Sequence, residues 1–231
     1  MLERIIEELP EFLGYYNLLF LGKALIATFM LSAAGCLVGF GAGFMIAALR
    51  RADARWLWPF KAVAIAFVEL FRRIPFLVTL MLVFFAFQLS GFDLSTFSVA
   101  LIAVCLIATA FIAEIVRSGL DSVHGNQWDA ATALNMSYLQ TLRLVVVPQA
   151  WKVMLPPVFS FFILFIKDTA LASQIGVLEL TYAGKVLNNK GFSAALVFGT
   201  ILILYFALSY PLARFGAHME ARLASSRDRR A

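Results

Sequence analysis

The segment from Ala24 to Leu49 contains no charged residue over 26 positions, and Arg50 and Arg51 follow it at once. A helix of about 20 apolar residues is long enough to cross the hydrocarbon core of a bilayer. The whole chain is 62% hydrophobic and 14% charged, whereas soluble domains are roughly 45–50% apolar and about 25% charged. The sequence therefore predicts an all-α, polytopic membrane protein and excludes a soluble domain.

Four further apolar stretches follow, at about 56–89, 95–115, 148–178 and 193–215. The first of these is too long for one straight span, because 34 residues make roughly 50 Å of helix. Since it also contains Pro75, we predict a kink or break there. The 231 residues have room for about five or six spans, and five transmembrane helices fit best.

The distribution of Lys and Arg predicts the orientation in the membrane. Residues 50–61, 117–152 and 214–231 hold four, three and five of the 19 Lys and Arg, the last including Arg222, Arg227, Arg229 and Arg230. The opposite side holds only Arg4, Lys23, Lys185 and Lys190. The positive-inside rule then predicts N-out/C-in, which requires an odd number of spans. It also places all four tryptophans near the inner interface.

The resulting domain prediction has three parts. These are an extracytoplasmic N-terminal segment at 1–18, a transmembrane domain at 19–217 with a cytoplasmic loop at 118–147, and a basic cytoplasmic tail at 218–231. The acidic N-terminus lacks the pattern of a cleaved signal peptide. Cys36 and Cys105 lie far apart in apolar runs, which favours packing over a disulfide or metal site.

The polar loop is predicted to form two short, capped helices. Asn126 is the expected N-cap of the first helix, with Asp129 as its acidic partner, and Asn135 is expected to end it. Ser137 and Gln140 have capping-box spacing for the second helix. Pro148 is expected to terminate that helix, and the first helix is expected to expose Asp129, Ala130, Ala131 and Ala133. From spacing alone, the pair either docks a partner outside the bilayer or is only a solvated interfacial structure.

Several ionisable residues are predicted to lie at membrane depth, where each costs a few kcal/mol and is usually functional or paired. They are Lys167 and Asp168 on the fourth span, and Glu69, Arg72 and Arg73 on the second. A cavity for a free amino acid needs both charge signs. An arginine could hold the carboxylate, Asp168 or Glu69 the ammonium group, and Thr169 could add a hydroxyl. Alternatively, Arg72, Glu69 and Lys167 only neutralise one another.

Three other features have structural interpretations. Glu114 and Arg117 are spaced i,i+3, which favours a structural ion pair. Glu179 is expected at the outer interface, either solvated or facing a partner. The glycines of the first span, among them Gly39 and Gly43, have the spacing of close helix packing, within the chain or across a dimer seam.

The polar loop carries a resemblance to a known family. The run Gln127-Trp-Asp-Ala-Ala131, with Asn135, Ser137, Leu142, Arg143, Pro148-Gln149-Ala150 and Leu155-Pro-Pro157, resembles the EAA coupling loop of ABC importer permeases of the polar amino acid uptake family. Three further blocks agree: Glu69 to Leu77, Ala113 to Gly119, and Lys167 to Leu171 with Ile175 to Leu180. Together they cover about residues 20–217. The family usually has Glu where this chain has Asp129, and Gly at the positions of Asn126 and Asn135.

The resemblance implies the fold of a type I ABC importer permease and a set of partners. The coupling loop would dock on a dimer of cytoplasmic ABC ATPase subunits through Asn126, Gln127, Asp129, Ala130, Ala131, Asn135, Ser137 and Arg143. Lys167, Asp168 and Thr169 would contact the substrate. A second permease copy or a homologous permease, and a periplasmic amino-acid-binding protein, would complete the transporter in the bacterial inner membrane.

This chain has no phosphate loop of the Gly-x4-Gly-Lys-Ser/Thr type, so no cofactor is expected here, and ATP and Mg²⁺ would bind the partner ATPase.

Two rival functions require features that differ from those of the importer. An ion-gradient-driven secondary transporter would need an internal repeat, which is missing. An intramembrane enzyme would need a Ser/His, Ser/Lys or paired-Asp arrangement, and no such pair with plausible spacing occurs.

Overall fold

The computed structural model describes residues 2–228, with side chains for 3–222, and every regular element in that part is helical. Ten α-helices follow one another there: α1 Leu2–Phe12, α2 Tyr15–Arg51, α3 Trp58–Arg73, α4 Phe76–Ser90, α5 Thr96–Asp121, α6 Gly125–Ala133, α7 Tyr138–Thr141, α8 Val147–Asp168, α9 Leu180–Asn189 and α10 Ala194–Asp228. Two 3-10 helices, Arg55–Leu57 and Thr169–Ile175, connect some of them. Arg229 and Arg230 of the predicted tail lie outside the described residues, as does the side chain of Arg227.

Four helical runs are long and apolar enough to cross a membrane: Tyr15–Arg51, Thr96–Asp121, Tyr138–Ile175 and Ala194–Arg222. Arg55–Arg73 and Phe76–Ser90 pass the same test together, as one broken span. The prediction of about five spans is thereby confirmed in number and in position.

The break in the second span lies at Pro75, as predicted. Helix α3 ends at Arg73, and Ile74 takes an extended backbone with φ −91° and ψ 135°. Proline excludes the helical region for the residue before it, because its Cδ clashes with that residue's backbone. Helix α4 begins directly after the proline, where a missing N–H removes no helical hydrogen bond.

Pro148 does not terminate the helix that contains it, so that prediction is wrong. Helix α7 passes into a π-helical turn at Leu142–Val146, which passes in turn into α8. A proline removes one helical hydrogen bond and crowds the carbonyl four residues earlier. A π turn widens the helix at that place, so the chain stays helical from Tyr138 to Asp168.

The chain divides into two compact units, of which the first comprises residues 2–35, 76–104 and 162–212. Two clusters of buried apolar side chains form its core, one around Phe12, Leu187 and Val197 and the other around Leu31 and Leu80. The Glu8 carboxylate on α1 accepts a 2.7 Å hydrogen bond from the backbone N–H of Ser193, which fastens the N-terminal helix to the start of α10.

The second unit comprises residues 36–75, 105–161 and 213–228. Its helices α2 and α5 approach closely because glycines of α2 face the backbone of α5. A Cβ atom on Gly39 would lie 2.8 Å from the Cβ of Ala108, and one on Gly43 would lie 2.8 Å from the backbone nitrogen of Ala113. The glycine spacing therefore serves packing within the chain at these two positions.

We expect Gly43→Ala to destabilise the protein, because the added methyl group meets a backbone that cannot rotate away. Overpacking of this kind costs about 1–3 kcal/mol. Gly41→Ala is the matched control: it lies on the same helix, and the methyl group that alanine would add there has no atom within 4 Å apart from its chain neighbours and the backbone of its own helix. The thermal midpoint in detergent should fall for Gly43→Ala and stay or rise for Gly41→Ala. Equal midpoints would contradict the close α2–α5 contact.

Candidate functional site

The polar loop folds into an elbow, defined here as residues 122–141, in which α6 and α7 meet at a tight turn. Helix α6 begins at Gly125, and its N-cap is His124, whose Nδ1 accepts a 3.3 Å hydrogen bond from the backbone N–H of Asn126. The prediction that Asn126 is the N-cap is wrong by two residues. An imidazole nitrogen here replaces the usual Ser, Thr, Asp or Asn oxygen, and no sequence pattern marks that replacement.

Asn135 ends the first helix of the elbow, as predicted. It has the left-handed φ of 52°, and it is the one non-glycine residue with a positive φ among residues 2–228. The backbone N–H of Met136 donates to Ala131 O at 3.1 Å, and that of Asn135 donates to Thr132 O at 2.9 Å. These two bonds make a Schellman motif, which satisfies the last carbonyls of α6.

The capping box at the start of α7 is also present. The backbone N–H of Ser137 donates to Gln140 Oε1 at 2.8 Å, and the Gln140 N–H donates back to Ser137 Oγ at 3.4 Å. Both ends of the turn between the two helices are thus fixed by hydrogen bonds. The elbow is therefore an ordered structure and not a flexible linker.

One face of the elbow is braced against the end of α2, within the second unit. The Tyr138 hydroxyl donates a 2.6 Å hydrogen bond to the carbonyl of Ala48. The rings of Trp128 and Tyr138 stack with centroids 6.4 Å apart, and the Arg51 guanidinium lies 4.8 Å from the centre of the Trp128 ring. A cation over an indole face is attracted by the ring quadrupole. No sequence pattern indicates this brace, because its residues are far apart along the chain.

The other face of the elbow is exposed. Six of the eight predicted coupling residues are exposed in the elbow: Asn126, Gln127, Asp129, Ala130, Asn135 and Ser137. Arg143 is exposed as well, just beyond the elbow in the π turn. Ala131 is buried, with its side chain 2% exposed, and its predicted exposure is wrong. Leu134, which sequence reasoning missed, is 76% exposed at the tip of the turn. Asp129 also lines a groove of about 1040 Å³ between the elbow and the end of α2.

Glu114 and Arg117 form the predicted ion pair, at 2.5 Å, and the carboxylate of Glu114 has further partners. Arg50 lies 3.2 Å and Arg72 3.6 Å from it. Arg73 instead pairs with Glu69 at 2.6 Å, and the Arg73 side chain is largely exposed whereas that of Glu69 is partly buried. The alternative prediction, in which Arg72, Glu69 and Lys167 neutralise one another, is therefore wrong: Arg72 pairs with Glu114, and Glu69 pairs with Arg73. No geometry links Glu69, Arg72 or Arg73 to a substrate, and that role stays a prediction.

Lys167 and Asp168 end α8 with exposed side chains, in the first unit. The Thr169 side chain is buried, and its hydroxyl donates a 2.7 Å hydrogen bond to the carbonyl of Ile166. The hydroxyl is thus hydrogen-bonded to the last turn of α8 in this structure. Of the three predicted substrate contacts on this segment, Lys167 and Asp168 are the two that are open to a ligand.

Glu179 is buried, so the expectation that it lies at an outer surface is wrong. Its carboxylate caps α9 by accepting hydrogen bonds from the N–H groups of Thr181 at 2.9 Å and Tyr182 at 2.6 Å, and it accepts another from the Tyr205 hydroxyl at 2.9 Å. Burial raises the pKa of Glu179 above its ordinary value, and these hydrogen bonds oppose the rise. Among the described residues no group of three or more His, Cys, Asp or Glu side chains could hold a metal ion.

Comparison with known proteins gives a consistent result. Residues 39–224 match the family described as binding-protein-dependent transport system inner membrane component. The probable glutamine ABC transporter permease protein GlnP of Bacillus subtilis is 33% identical over 218 residues, which are 92% of this chain and 99% of the relative. The glutamine transport system permease protein GlnP of Escherichia coli is 32% identical over 83% of this chain and 85% of its own.

A solved structure agrees with the sequence relatives. The crystal structure of an amino acid ABC transporter with histidines superposes with a TM-score of 0.79 at 28% identity. The match covers 88% of this chain and 94% of the other. Both fold and sequence are thus shared over most of the chain.

We expect Asn135→Val to destabilise the elbow, because a β-branched side chain in the left-handed region costs on the order of 1–2 kcal/mol. Asn135→Gly is the matched control, since glycine takes the same backbone angles without strain. Limited proteolysis of the purified protein should cut the elbow faster in the valine variant and at the native rate in the glycine variant. Equal cutting of both variants would contradict the left-handed conformation.

Proposed function

Since this chain belongs to the family of binding-protein-dependent transport system inner membrane components, we propose that it carries a polar or charged amino acid into the cell as the permease subunit of an ATP-binding-cassette importer. The relatives named above are glutamine permeases. The single observation that supports the proposal best is the ordered elbow, with one braced face and one exposed face. Transport of an amino acid driven by an ion gradient is the alternative, and the family membership disfavours it.

The proposed partner of the exposed face is a cytoplasmic ATPase subunit dimer that binds ATP and Mg²⁺ and performs the hydrolysis. Protein interfaces are built from a few anchors surrounded by polar contacts. The elbow exposes the apolar Leu134 and the polar Asn126, Gln127 and Asp129, which together have that composition. A second permease copy or a homologous permease would bring a second elbow to the other ATPase subunit.

The proposed orientation is N-out/C-in in the bacterial inner membrane, with the elbow in the cytoplasm. The positive-inside distribution supports it, because the elbow lies between α5 and α8, in one of the Arg- and Lys-rich loops. A periplasmic amino-acid-binding protein would deliver the substrate to the opposite side.

The proposed mechanism is alternating access. Helix α7 is continuous with α8 through the π turn, so the elbow is followed directly by the helical run that ends at Lys167 and Asp168. These two exposed side chains offer one charge of each sign to the ammonium and carboxylate groups of an amino acid. ATP-driven closure of the ATPase dimer would thereby change which side of the membrane the substrate site faces.

We expect Asp129→Arg to prevent coupling, because it reverses the charge of an exposed carboxylate on α6. The variant should insert into the membrane but lose ATPase co-purification or substrate-stimulated ATP hydrolysis by at least about tenfold, a cost of about 1.4 kcal/mol at the interface. Asp93→Arg is the matched control, an exposed aspartate in the loop between α4 and α5. Native stimulated hydrolysis in Asp129→Arg would exclude the docking role.

Asp168→Ala should impair uptake or change substrate preference without releasing the ATPase. Removing one charge-assisted contact costs about 1.5–3 kcal/mol, which corresponds to a tenfold to hundredfold loss of substrate affinity. Uptake of radiolabelled glutamine, histidine and arginine by proteoliposomes gives the measurement, and ATPase co-purification gives the control. If uptake and preference are unchanged, the substrate site lies elsewhere.

A further inference from the structure

The second unit contains an ion-pair network with more cations than anions. Two carboxylates, Glu114 and Asp121, face four guanidinium groups. Arg50, Arg72 and Arg117 pair with Glu114, and Arg51 and Arg117 pair with Asp121. Such a network has a formal charge of +2, so it attracts an anion.

Arg72 is the guanidinium in this network whose N–H donors are free to bind a ligand. Its ion pair with Glu114 is 3.6 Å long, and it makes no hydrogen bond to the backbone of residues 2–228 or to a side chain of residues 3–222. Its side chain is 35% exposed. A guanidinium carries five N–H donors in a planar fork that fits the oxygens of a carboxylate or phosphate.

Arg72 lines a cavity of about 340 Å³ that is charged on one side and apolar on the other. Glu114 and Arg117 stand with Arg72 on the charged side, and Phe111, Val153 and Pro157 form the apolar side. The Phe111 ring centre is 6.0 Å from the Arg72 guanidinium. The cavity therefore suits a ligand with an anionic head and an apolar body.

The cavity lies near the loop end of its helices. Arg50 is the residue before the last of α2, and it reaches Glu114 directly. Glu114 in turn is seven positions before Asp121, the last residue of α5, which is about 10 Å along the helix.

We propose that this cavity binds the phosphate of an anionic membrane lipid headgroup. Arg72 and Arg117 donate hydrogen bonds to the phosphate oxygens, and the apolar side accepts the glycerol and the first carbons of an acyl chain. Basic pockets between transmembrane helices at a membrane surface are suited to such headgroups. The inference does not rest on the proposed transport function, because it concerns only the charge and the lining of the cavity.

Native mass spectrometry of the purified full-length complex, titrated with phosphatidylglycerol, tests the proposal. We expect Arg72→Gln to weaken binding of the lipid by about tenfold, the effect of losing one charge-assisted contact. Arg73→Gln is the matched control: it removes the same charge one residue away, from a side chain that does not line the cavity. Its binding should stay within twofold of the native protein.

A second variant keeps the test decisive if Arg72→Gln does not fold. Ser118→Tyr fills the cavity from an exposed position and leaves all four arginines in place, so it should weaken lipid binding as well. Native affinity in both variants overturns the proposal.

Competition distinguishes a lipid from a soluble anion. Inorganic phosphate and free glutamine, each added at the concentration of the lipid, should leave phosphatidylglycerol bound. Displacement by phosphate would show a site for a free oxoanion, and displacement by glutamine would show that Arg72 binds the substrate carboxylate. Either result overturns the lipid assignment, and neither affects the coupling role of the elbow.

Discussion

The π turn at Leu142–Val146 is the feature that joins the elbow to α8 in one helical run. It lies just before Pro148, and a proline removes one backbone hydrogen bond and crowds the preceding turn of a helix. The wider turn keeps the chain helical from the elbow to Asp168. The contrast with Pro75, where the chain does break, shows that proline alone does not decide the outcome.

The Glu114 carboxylate has a comparable role for the charges of the second unit. It gathers Arg50 from α2, Arg72 from α3 and Arg117 from its own helix. Each exposed pair contributes little by itself, but the shared carboxylate gives three helices a common contact. The four guanidinium groups of the network outnumber its two carboxylates, and this excess of positive charge is the reason that we propose an anionic ligand for the adjoining cavity.

Features set by local chemistry could be predicted from the sequence, and features set by distant contacts could not. The five spans, the break at Pro75, the left-handed Asn135 and the Ser137 capping box follow from apolar length, proline geometry and short-range hydrogen bonding. The burial of Glu179 depends on Tyr205, 26 residues away, and the pairing of Arg72 with Glu114 joins two different helices. The His124 cap and the continuation past Pro148 were local, but they used an uncommon acceptor and an uncommon turn.

The difference between the two faces of the elbow indicates a docking element and not a solvated loop. A loop with no partner would satisfy its polar groups on all sides and expose few large apolar groups. Here the inner face has its contacts, through Tyr138 to Ala48 and through Arg51 to Trp128. The outer face keeps Leu134 76% exposed beside a row of polar side chains. Since the backbone is fixed by caps at both helices, this exposure is a stable property of the fold, and it presents a preorganised surface that loses little conformational entropy on binding.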